Sequence, residues 1–538
     1  MGKQKTTSAV PNADKKAKNM ANEPAMKKGR ALGASSPKWI YGLGFLLLWV
    51  FCSWTYGDVF RHIASENFFT FDRVAMNFLE RKEYGLLFWV GRFFLLVFKS
   101  QWIGGALMAA VLTLAARGFD AAWSGRSRWM AAGFLPILAM LGFFVFRGYN
   151  LYLRNEPSTF VLCTLGLALV AAIYALVVVL AQRGKPSESK GGLPIMMVVA
   201  LLAYGGLTYY ALVPQNYVRM TTRMQNCLEA EDWEGMIEAA RAVEKPTRSI
   251  AALHALALTR TDRLLSEAWE IEYDFPEVKL DYIGGTDEGP NYLADCNLHA
   301  GLVNSAYRAT MENTVVIGPR LHNYKRMAIC SMLNGEKVLA ERYFRLIEKM
   351  PLEGDFVERY RPMLNDSTLI ASDPTLAHIR TLTPMERNFE QNYRQPVFLG
   401  YNFSLNQGTD ATLVTSVATC MYSKDLDNFL QRAVYMRTKM PLPLPVLQAI
   451  GIASLKREGL LQHFPEVTPM VMSQIEAFVT EVAPYFQAQL SMNEKEKAAS
   501  RQEVSEKLRK DWLGSYMYYY YCGNMAQQQA QAQGAGVN

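Results

Sequence analysis

Four polar residues near the first long apolar run have side-chain types that could do chemistry. Asp58, His62 and Glu66 follow that run closely, and Arg92 lies at the centre of a short apolar segment further on. A carboxylate in such a place could act as a general base or hold a metal ion beside an acceptor hydroxyl. Acidic side chains are also common where a helix leaves a membrane, because they mark the interface with water. The pattern therefore admits both a catalytic and a purely structural interpretation.

The arrangement of these residues resembles, in outline, that of polytopic glycosyltransferases that use lipid-linked sugars. In those enzymes an acid follows the first membrane helix and membrane-surface helices come next, and some members carry C-terminal tetratricopeptide repeats. The resemblance implies a lipid-linked donor and an outer-face carboxylate near Asp58, with His62, Glu66 and Arg92 beside it. Because those enzymes have more membrane helices than this sequence contains, a membrane glycosyltransferase is the alternative function.

Other sequence signatures of catalysis or metal binding are absent from the chain. The sequence contains no G-x-x-x-x-G-K-[ST], no H-E-x-x-H and no C-x-x-C, so a P-loop, a zincin helix and a thioredoxin-type pair are unsupported. The six histidines are scattered, whereas a metal site needs three or four ligands on a rigid frame. The seven cysteines are also dispersed, which favours a role as small buried side chains. The main interpretation therefore assigns no catalytic residue, no cofactor and no metal.

The net positive charge of the chain is confined to its first residues. Residues 1–38 contain nine Lys or Arg and two acidic residues, which accounts for the whole net charge of +7 and leaves 47 basic and 47 acidic residues elsewhere. A nucleic-acid-binding domain would carry its own basic patch, so we predict no nucleic-acid partner. The segment lacks apolar periodicity, which predicts a disordered cytoplasmic tail that acts as a topology signal or as an anchor to anionic lipid.

Long uncharged runs before Pro214 predict a transmembrane domain over residues 39–218. The expected spans are 39–57, 101–116, 129–146, 158–182 and 193–213. The segment 85–98 is different, because about 14 residues cover only about 21 Å as a helix and Arg92 lies at its centre. We therefore predict interfacial helices over 66–98.

An amphipathic helix is predicted between the first two spans. Phe71, Val74, Ala75 and Phe78 recur at the spacing of one helix face, with charged residues mainly on the other side. Such a helix lies either on the outer membrane surface or with its apolar face against the spans.

Basic residues near the ends of the spans predict the orientation of the chain. Lys and Arg are enriched in cytoplasmic loops, and five crossings place the tail and both basic loops on that side. The residues in these loops are Arg117, Arg126, Arg128, Arg183, Lys185 and Lys190. The prediction is a bacterial inner-membrane protein with a cytoplasmic N-terminus and a periplasmic C-terminal domain. If 85–98 spans the membrane, the basic loops turn outward.

Residues 219–524 are predicted to form a mostly helical soluble domain, followed by a disordered Gln/Ala-rich tail over 525–538. Three segments resemble the second helix of a tetratricopeptide unit, since small and large side chains alternate before a proline. Their ladders are Met236, Ala240 and Val243; Ala340, Phe344 and Ile347; and Phe429, Ala433 and Met436. The ladders are irregularly spaced, which predicts a degenerate repeat domain or, alternatively, an irregular helix bundle.

Three local strings carry a closer resemblance to a known family. The strings MLNGEKVLAERYFRLIEKM, TCMYSKDLDNFL and WLGSYMYYYYC resemble an uncharacterised family of polytopic membrane proteins of Bacteroidota. The resemblance implies an all-α fold, with an N-terminal transmembrane domain followed by a C-terminal domain of tetratricopeptide-like helical repeats. It carries no catalytic residue to this chain.

The main functional prediction is a membrane-anchored interaction or scaffold protein. Apart from Arg92, the expected apolar segments contain no charge, which argues against ion coupling or proton relay in the membrane. Helical-repeat domains commonly present a concave binding surface. We therefore expect the C-terminal domain to bind a protein or peptide partner while the lipid bilayer holds the N-terminal domain.

Overall fold

The protein is built from helices throughout the part of the chain that the structure describes. This computed structural model describes residues 38–80, 82–123, 129–181, 195–275, 278, 280, 288–383 and 410–523. The predicted all-α fold class is confirmed for these residues. The predicted tails, apart from Lys38, lie outside them, as do all the basic loop residues used above except Arg117.

The N-terminal helices include those of membrane-spanning length. They are α1 (Lys38–Val50), α2 (Gly57–Ser65), α3 (Arg73–Glu80), α4 (Gly85–Leu95), α5 (Gln101–Phe119), α6 (Phe134–Arg147), α7 (Asn150–Leu153), α8 (Thr159–Ala181) and α9 (Ile195–Leu212). Helices α5, α8 and α9 are each long and apolar enough to cross a membrane, and α1 and α2 pass the same test as a bent pair. The expected span 129–146 contains α6, which has only 14 residues.

The first expected span, 39–57, ends in a sharp bend. Helix α1 continues as a π-helix over Phe51–Thr55, and α2 leaves it at an angle of 59°. A Cβ atom at Gly57 would lie 3.2 Å from the carbonyl oxygen of Cys52, so glycine allows the tight turn. Asp58 then occupies the first turn of α2, where the helix dipole favours a carboxylate.

Contacts at the helix ends show that α5 runs opposite to α1 and α6. The hydroxyl of Tyr41, near the start of α1, donates to Asp120, just beyond the end of α5, at 2.9 Å. The hydroxyl of Tyr56, beyond the end of α1, lies 3.5 Å from the carbonyl oxygen of Phe144, near the end of α6. Helices α1 and α6 are therefore parallel to each other.

The last two long apolar helices continue this alternation. Phe98, just before α5, packs edge-on against Phe160, at the start of α8, with ring centroids 5.0 Å apart. Met197, at the start of α9, shares a small apolar pocket with Phe134, at the start of α6. Helices α1, α6 and α9 thus run in one direction, and α5 and α8 run in the other.

The segment between α2 and α5 has both of its flanks at the same end of the helix bundle. Lys82, before α4, forms an ion pair of 3.1 Å with Glu156, which immediately precedes α8. Lys99, after α4, donates to the carbonyl oxygen of Pro351 at 3.2 Å. Because Pro351 belongs to the C-terminal helices, α4 begins and ends on the side of the bundle that faces them.

The C-terminal part is a succession of seventeen described helices. They are α10 (Asn216–Glu229), α11 (Trp233–Arg241), α12 (Arg248–Arg260), α13 (Leu264–Glu267), α14 (Leu293–His299), α15 (Val303–Ile317), α16 (Leu321–Leu333), α17 (Lys337–Glu348), α18 (Gly354–Tyr360), α19 (Ser367–Ser372), α20 (Pro374–Leu382), α21 (Leu413–Tyr422), α22 (Leu426–Met436), α23 (Leu444–Ser454), α24 (Pro469–Gln489), α25 (Glu494–Trp512) and α26 (Tyr516–Cys522).

In five places in this part, the same tight turn joins one helix to the next helix along the chain. Each turn has one residue at positive φ, and the next residue donates its N–H to a carbonyl oxygen five residues earlier at 2.8–2.9 Å. This is the Schellman arrangement, which closes the end of a helix and reverses the chain. The residues at positive φ are Glu231, Asp262, Gly301, Gly335 and Lys424.

The three small-to-large ladders lie on the buried faces of helices that follow such turns. Ala340, Phe344 and Ile347 are fully buried on α17, and the ladders of α11 and α22 are buried as well. The hydrophobic cluster that contains the α17 ladder also contains Phe68 and Met76 from the segment before α5. The N-terminal and C-terminal helices therefore share part of one core.

Candidate functional site

Three of the four residues singled out in the sequence belong to α2 or its end: Asp58 lies in the first turn, His62 in the last turn, and Glu66 directly follows the helix. His62 is buried, and its Nε2 atom lies 4.0 Å from Oε1 of Glu66, one helical turn further on. The imidazole packs edge-on against the ring of Tyr152, 5.0 Å away between ring centroids. A pair at this spacing on one helix could share a proton or a water molecule.

Arg92 makes a different set of contacts. Its side chain is only 2% exposed and forms an ion pair of 2.5 Å with Glu156. Its Nη1 atom also donates to the carbonyl oxygen of Phe68 at 2.7 Å. Burial raises the pKa of Glu156, but the charges of Arg92 and Lys82 outweigh it and hold the pKa below its ordinary value. Arg92 is therefore satisfied by its neighbours and fixes α4 to the start of α8.

Asp58 is directed towards α10. Its backbone carbonyl accepts a hydrogen bond of 3.1 Å from Nδ2 of Asn226. Its carboxyl group interacts electrostatically with Arg223 and Arg219 of the same helix. Asp58 and Arg92 do not line the cavity that His62 and Glu66 line, so the four residues do not converge on one reaction centre.

His62 and Glu66 line an enclosed polar cavity of about 20 Å³ between the N-terminal and C-terminal helices. Tyr152 and Asn291 contribute buried oxygen atoms that have no hydrogen-bond partner among the described residues. A cavity of this volume with several polar neighbours holds about one water molecule. The arrangement suits a structural water.

A much larger cleft lies on the other side of one wall of this cavity. The cleft has a volume of about 320 Å³ and is partly open to solvent. His322, Asp295 and Arg326 line both spaces. Helices α10, α14, α16, α18 and α20 contribute the walls, so the cleft is formed wholly within the C-terminal part.

The shared wall is a compact network of charges. Asp295 is buried and accepts contacts of 2.5 Å from Nη2 of Arg326 and 3.2 Å from Nε2 of His322. Burial raises the pKa of Asp295, but the charge of Arg326 and the hydrogen bond of His322 dominate and hold the pKa well below its usual range. Asp295 is therefore a stable carboxylate with its charge compensated.

Lys325 and Arg359, which also line the cleft, both form ion pairs. Nζ of Lys325 lies 3.0 Å from Glu229 and 2.7 Å from Glu353. Burial disfavours the charged amine, but these two carboxylates raise the pKa of Lys325 above its ordinary value. Arg359 is also paired with two carboxylates: its Nη2 atom lies 2.9 Å from Glu231 and 2.8 Å from Asp373, the residue that caps α20.

The cleft combines an apolar floor with aromatic and charged side chains at its side and rim. Its floor is apolar and consists of Leu228, Leu298, Ile329, Leu376 and Ile379. Phe356 and Tyr360 form one side, with ring centroids 4.9 Å apart, and exposed Asp355 lies at the rim. Within the described ranges, no group of three or more His, Cys, Asp or Glu side chains could hold a metal ion. Apolar surface beside compensated charges is suited to a peptide segment.

Sequence reasoning did not find this cleft. Asp295, His322 and Arg326 come from two helices and are separated by 27 and four positions, so no short motif contains them. Of these three residues, only His322 and Arg326 could be paired from the sequence, because they lie four residues apart on one face of α16.

The fold and the site together define an all-helical protein with helices of membrane-spanning length followed by a C-terminal array of helical hairpins. The sequence profile of a family described as "Family of unknown function (DUF6057)" matches residues 35–174 and 143–523, and the chain belongs to this family. This match confirms the prediction that the chain belongs to an uncharacterised family. No curated protein and no solved structure matches the chain significantly.

Proposed function

We propose that this protein is a membrane-anchored interaction protein whose C-terminal helices bind a protein or peptide partner in the cleft between α10 and α20. The observation that carries the proposal is the 320 Å³ space with an apolar floor and charge-compensated walls. A binding groove for a peptide needs apolar pockets for side chains and polar groups at the rim, and this cleft has both. Partner binding needs no catalytic side chains, so the proposal assigns none to the cleft.

The repeated turns support a tetratricopeptide-like organisation of the binding part. In the first four of these five turns, the residues at positive φ are Glu231, Asp262, Gly301 and Gly335, and they follow one another at intervals of 31, 39 and 34 residues. A tetratricopeptide unit is a helical hairpin of 34 residues. The irregular intervals fit a degenerate array, in which hairpin stacking creates a concave surface for a partner.

The alternating directions of α1, α5, α6, α8 and α9 support five membrane crossings. In this arrangement the lipid bilayer is the second partner of the protein. Arg117, in the last turn of α5, lies at the end of the bundle opposite the C-terminal helices. Because basic residues are enriched on the cytoplasmic side, we place the N-terminus in the cytoplasm of a bacterial cell and the cleft in the periplasm.

Photo-crosslinking from the cleft tests the proposal. A photoreactive benzoylphenylalanine replaces Asp355, at the cleft rim, in the full-length protein in cells, and the matched control position is Val338, which is 73% exposed on α17 and does not line the cleft. We expect a discrete protein adduct from position 355 alone, and a lower yield when Tyr360→Ala removes one side of the cleft. Equal adducts from both positions, or none from 355, would contradict partner binding at this site.

A further inference from the structure

Helix α4 has an exposed apolar stripe that the protein itself does not cover. Leu86 is 80% exposed, and Leu87, Phe93 and Phe94 are also exposed. These positions recur on one face of a helix. Phe71, 64% exposed just before α3, packs against Phe93 with ring centroids 6.3 Å apart and extends the same patch. Contiguous apolar surface of this kind is unfavourable in water and marks a contact surface.

The opposite face of α4 is packed closely against the first turn of α8. A Cβ atom at Gly91 would lie 2.7 Å from Cβ of Ser158 and 2.8 Å from Cγ of Leu162, so only glycine permits this approach. The ion pair of Arg92 with Glu156 lies beside that contact. Helix α4 is therefore fixed next to the end of a candidate membrane span.

Helix α3 is fixed in the same way from the other side. Met76 and Leu79 are buried in a hydrophobic cluster that also contains Leu321 and Phe344 of the C-terminal helices. The exposed stripe thus lies between two fixed supports, and it cannot turn inwards to bury its own apolar side chains.

The position of the stripe identifies what covers it. It adjoins α8, whose outward side chains such as Leu169 and Val170 are exposed in the protein and suited to hydrocarbon. Lys82 and Lys99 hold both ends of the segment on the side of the C-terminal helices. The segment that carries the stripe therefore packs against the start of a candidate membrane span, and its two ends lie on the same side of the bundle.

We propose that α3 and α4 form a re-entrant membrane element whose exposed stripe is buried among the acyl chains of the leaflet nearest the C-terminal helices. The occupant of this surface is lipid, not a second copy of the chain. The element supports the C-terminal helices at a fixed height above the bilayer. This inference is independent of partner binding in the cleft.

Spin-label accessibility in lipid nanodiscs tests the proposal on the full-length chain. The exposed Cys163 is first replaced by serine. A spin label is then attached at Leu86→Cys or, as the matched control, at Val338→Cys, an exposed position of α17. We expect oxygen to relax the label at position 86 more strongly than a water-soluble nickel chelate does, and the reverse order at position 338. Greater nickel accessibility at position 86 would place the stripe in water, and protection from both reagents would place a second copy of the chain on it.

A labelling experiment in sealed cells distinguishes re-entry from a full crossing. Tyr84→Cys and Ser100→Cys, both at exposed positions that flank α4, are treated with a membrane-impermeant maleimide. We expect both cysteines to react from the same side of the membrane. Reaction from opposite sides would show that α4 spans the bilayer and would overturn the proposal, whatever the result of the cleft crosslinking.

Discussion

Replacing Arg320 with methionine should uncouple the C-terminal helices from the N-terminal helices. Arg320 is 1% exposed, and its Nη2 atom donates to the carbonyl oxygen of Tyr152 at 2.7 Å. Its Nη1 atom lies 3.8 Å from Oε2 of Glu66 on α2. Arg320→Met keeps a similar apolar length but removes the charge and the donor, and it leaves Glu66 without its cationic partner across the junction.

The expected loss of stability follows from the geometry of this pair. Two unit charges 3.8 Å apart interact by about 4 kcal/mol at an effective dielectric constant of about 20. Removal of one partner from a buried pair typically costs about 3–5 kcal/mol, since the other charge remains buried. We therefore expect Arg320→Met to lower the free energy of unfolding by about 3–5 kcal/mol. Glu66→Gln in the Arg320→Met background should restore part of this loss.

Urea unfolding of the four proteins of a double-mutant cycle, in nanodiscs of one composition, measures the coupling between Arg320 and Glu66. The control is Arg308→Met, which breaks an exposed pair with Glu312 whose N–O distance is 3.0 Å. We expect a loss of only about 0.3–0.5 kcal/mol in the control, as for other exposed pairs on one helix. A coupling energy near zero for Arg320 and Glu66, or equal losses for Arg320→Met and Arg308→Met, would refute the reasoning.

Three further substitutions test separate features. Burial lowers the pKa of His254 to about 3, and neither ring nitrogen has a partner among the described residues. As the pH falls below the ordinary pKa of histidine, the unfolded chain therefore binds a proton at this residue while the folded protein does not. Unfolding titrations should show that His254→Leu loses about 2 kcal/mol less stability than the wild-type protein between pH 7.5 and 5. Gly335→Ala, at a φ of 77° with no atoms near the added Cβ, should cost about 1–2 kcal/mol in the same assay, whereas Gly354→Ala should be nearly neutral. Tyr149→Phe removes a buried hydroxyl that forms hydrogen bonds with the hydroxyls of two threonine side chains. In the same unfolding assay, this substitution should lower the free energy of unfolding by about 1–3 kcal/mol.

Local periodicity and composition were sufficient to predict the helical class and most of the apolar helices. Uncharged runs of membrane length correspond to α5, α8 and α9, because hydropathy over about 20 residues depends on no tertiary contact. The ladder residues Ala340, Phe344 and Ile347 were found from their spacing alone and are buried. These features are encoded within single helices.

The bend after α1 and the cleft could not be predicted from the sequence in the same way. The run from Trp39 to Gly57 is uniformly apolar, and the π-helix and the 59° bend depend on how Gly57 approaches Cys52. The cleft depends on which faces of five helices meet after the chain has folded. Asp58, His62 and Glu66 were recognisable as neighbours because they follow one another at intervals of four residues along α2 and its end, whereas the distance of Arg92 from His62 and Glu66 depends on how α4 packs against α8.

The buried charges at the junction determine how a loss of partner binding should be interpreted. Arg320 joins the start of α16 to the N-terminal helices, so its removal would disturb the N-terminal and C-terminal helices together. Reduced partner capture by such a variant would therefore not identify a binding residue. Tyr360 lines the cleft without bridging the two parts, and a loss of capture in Tyr360→Ala at unchanged stability would assign partner contact to the cleft itself.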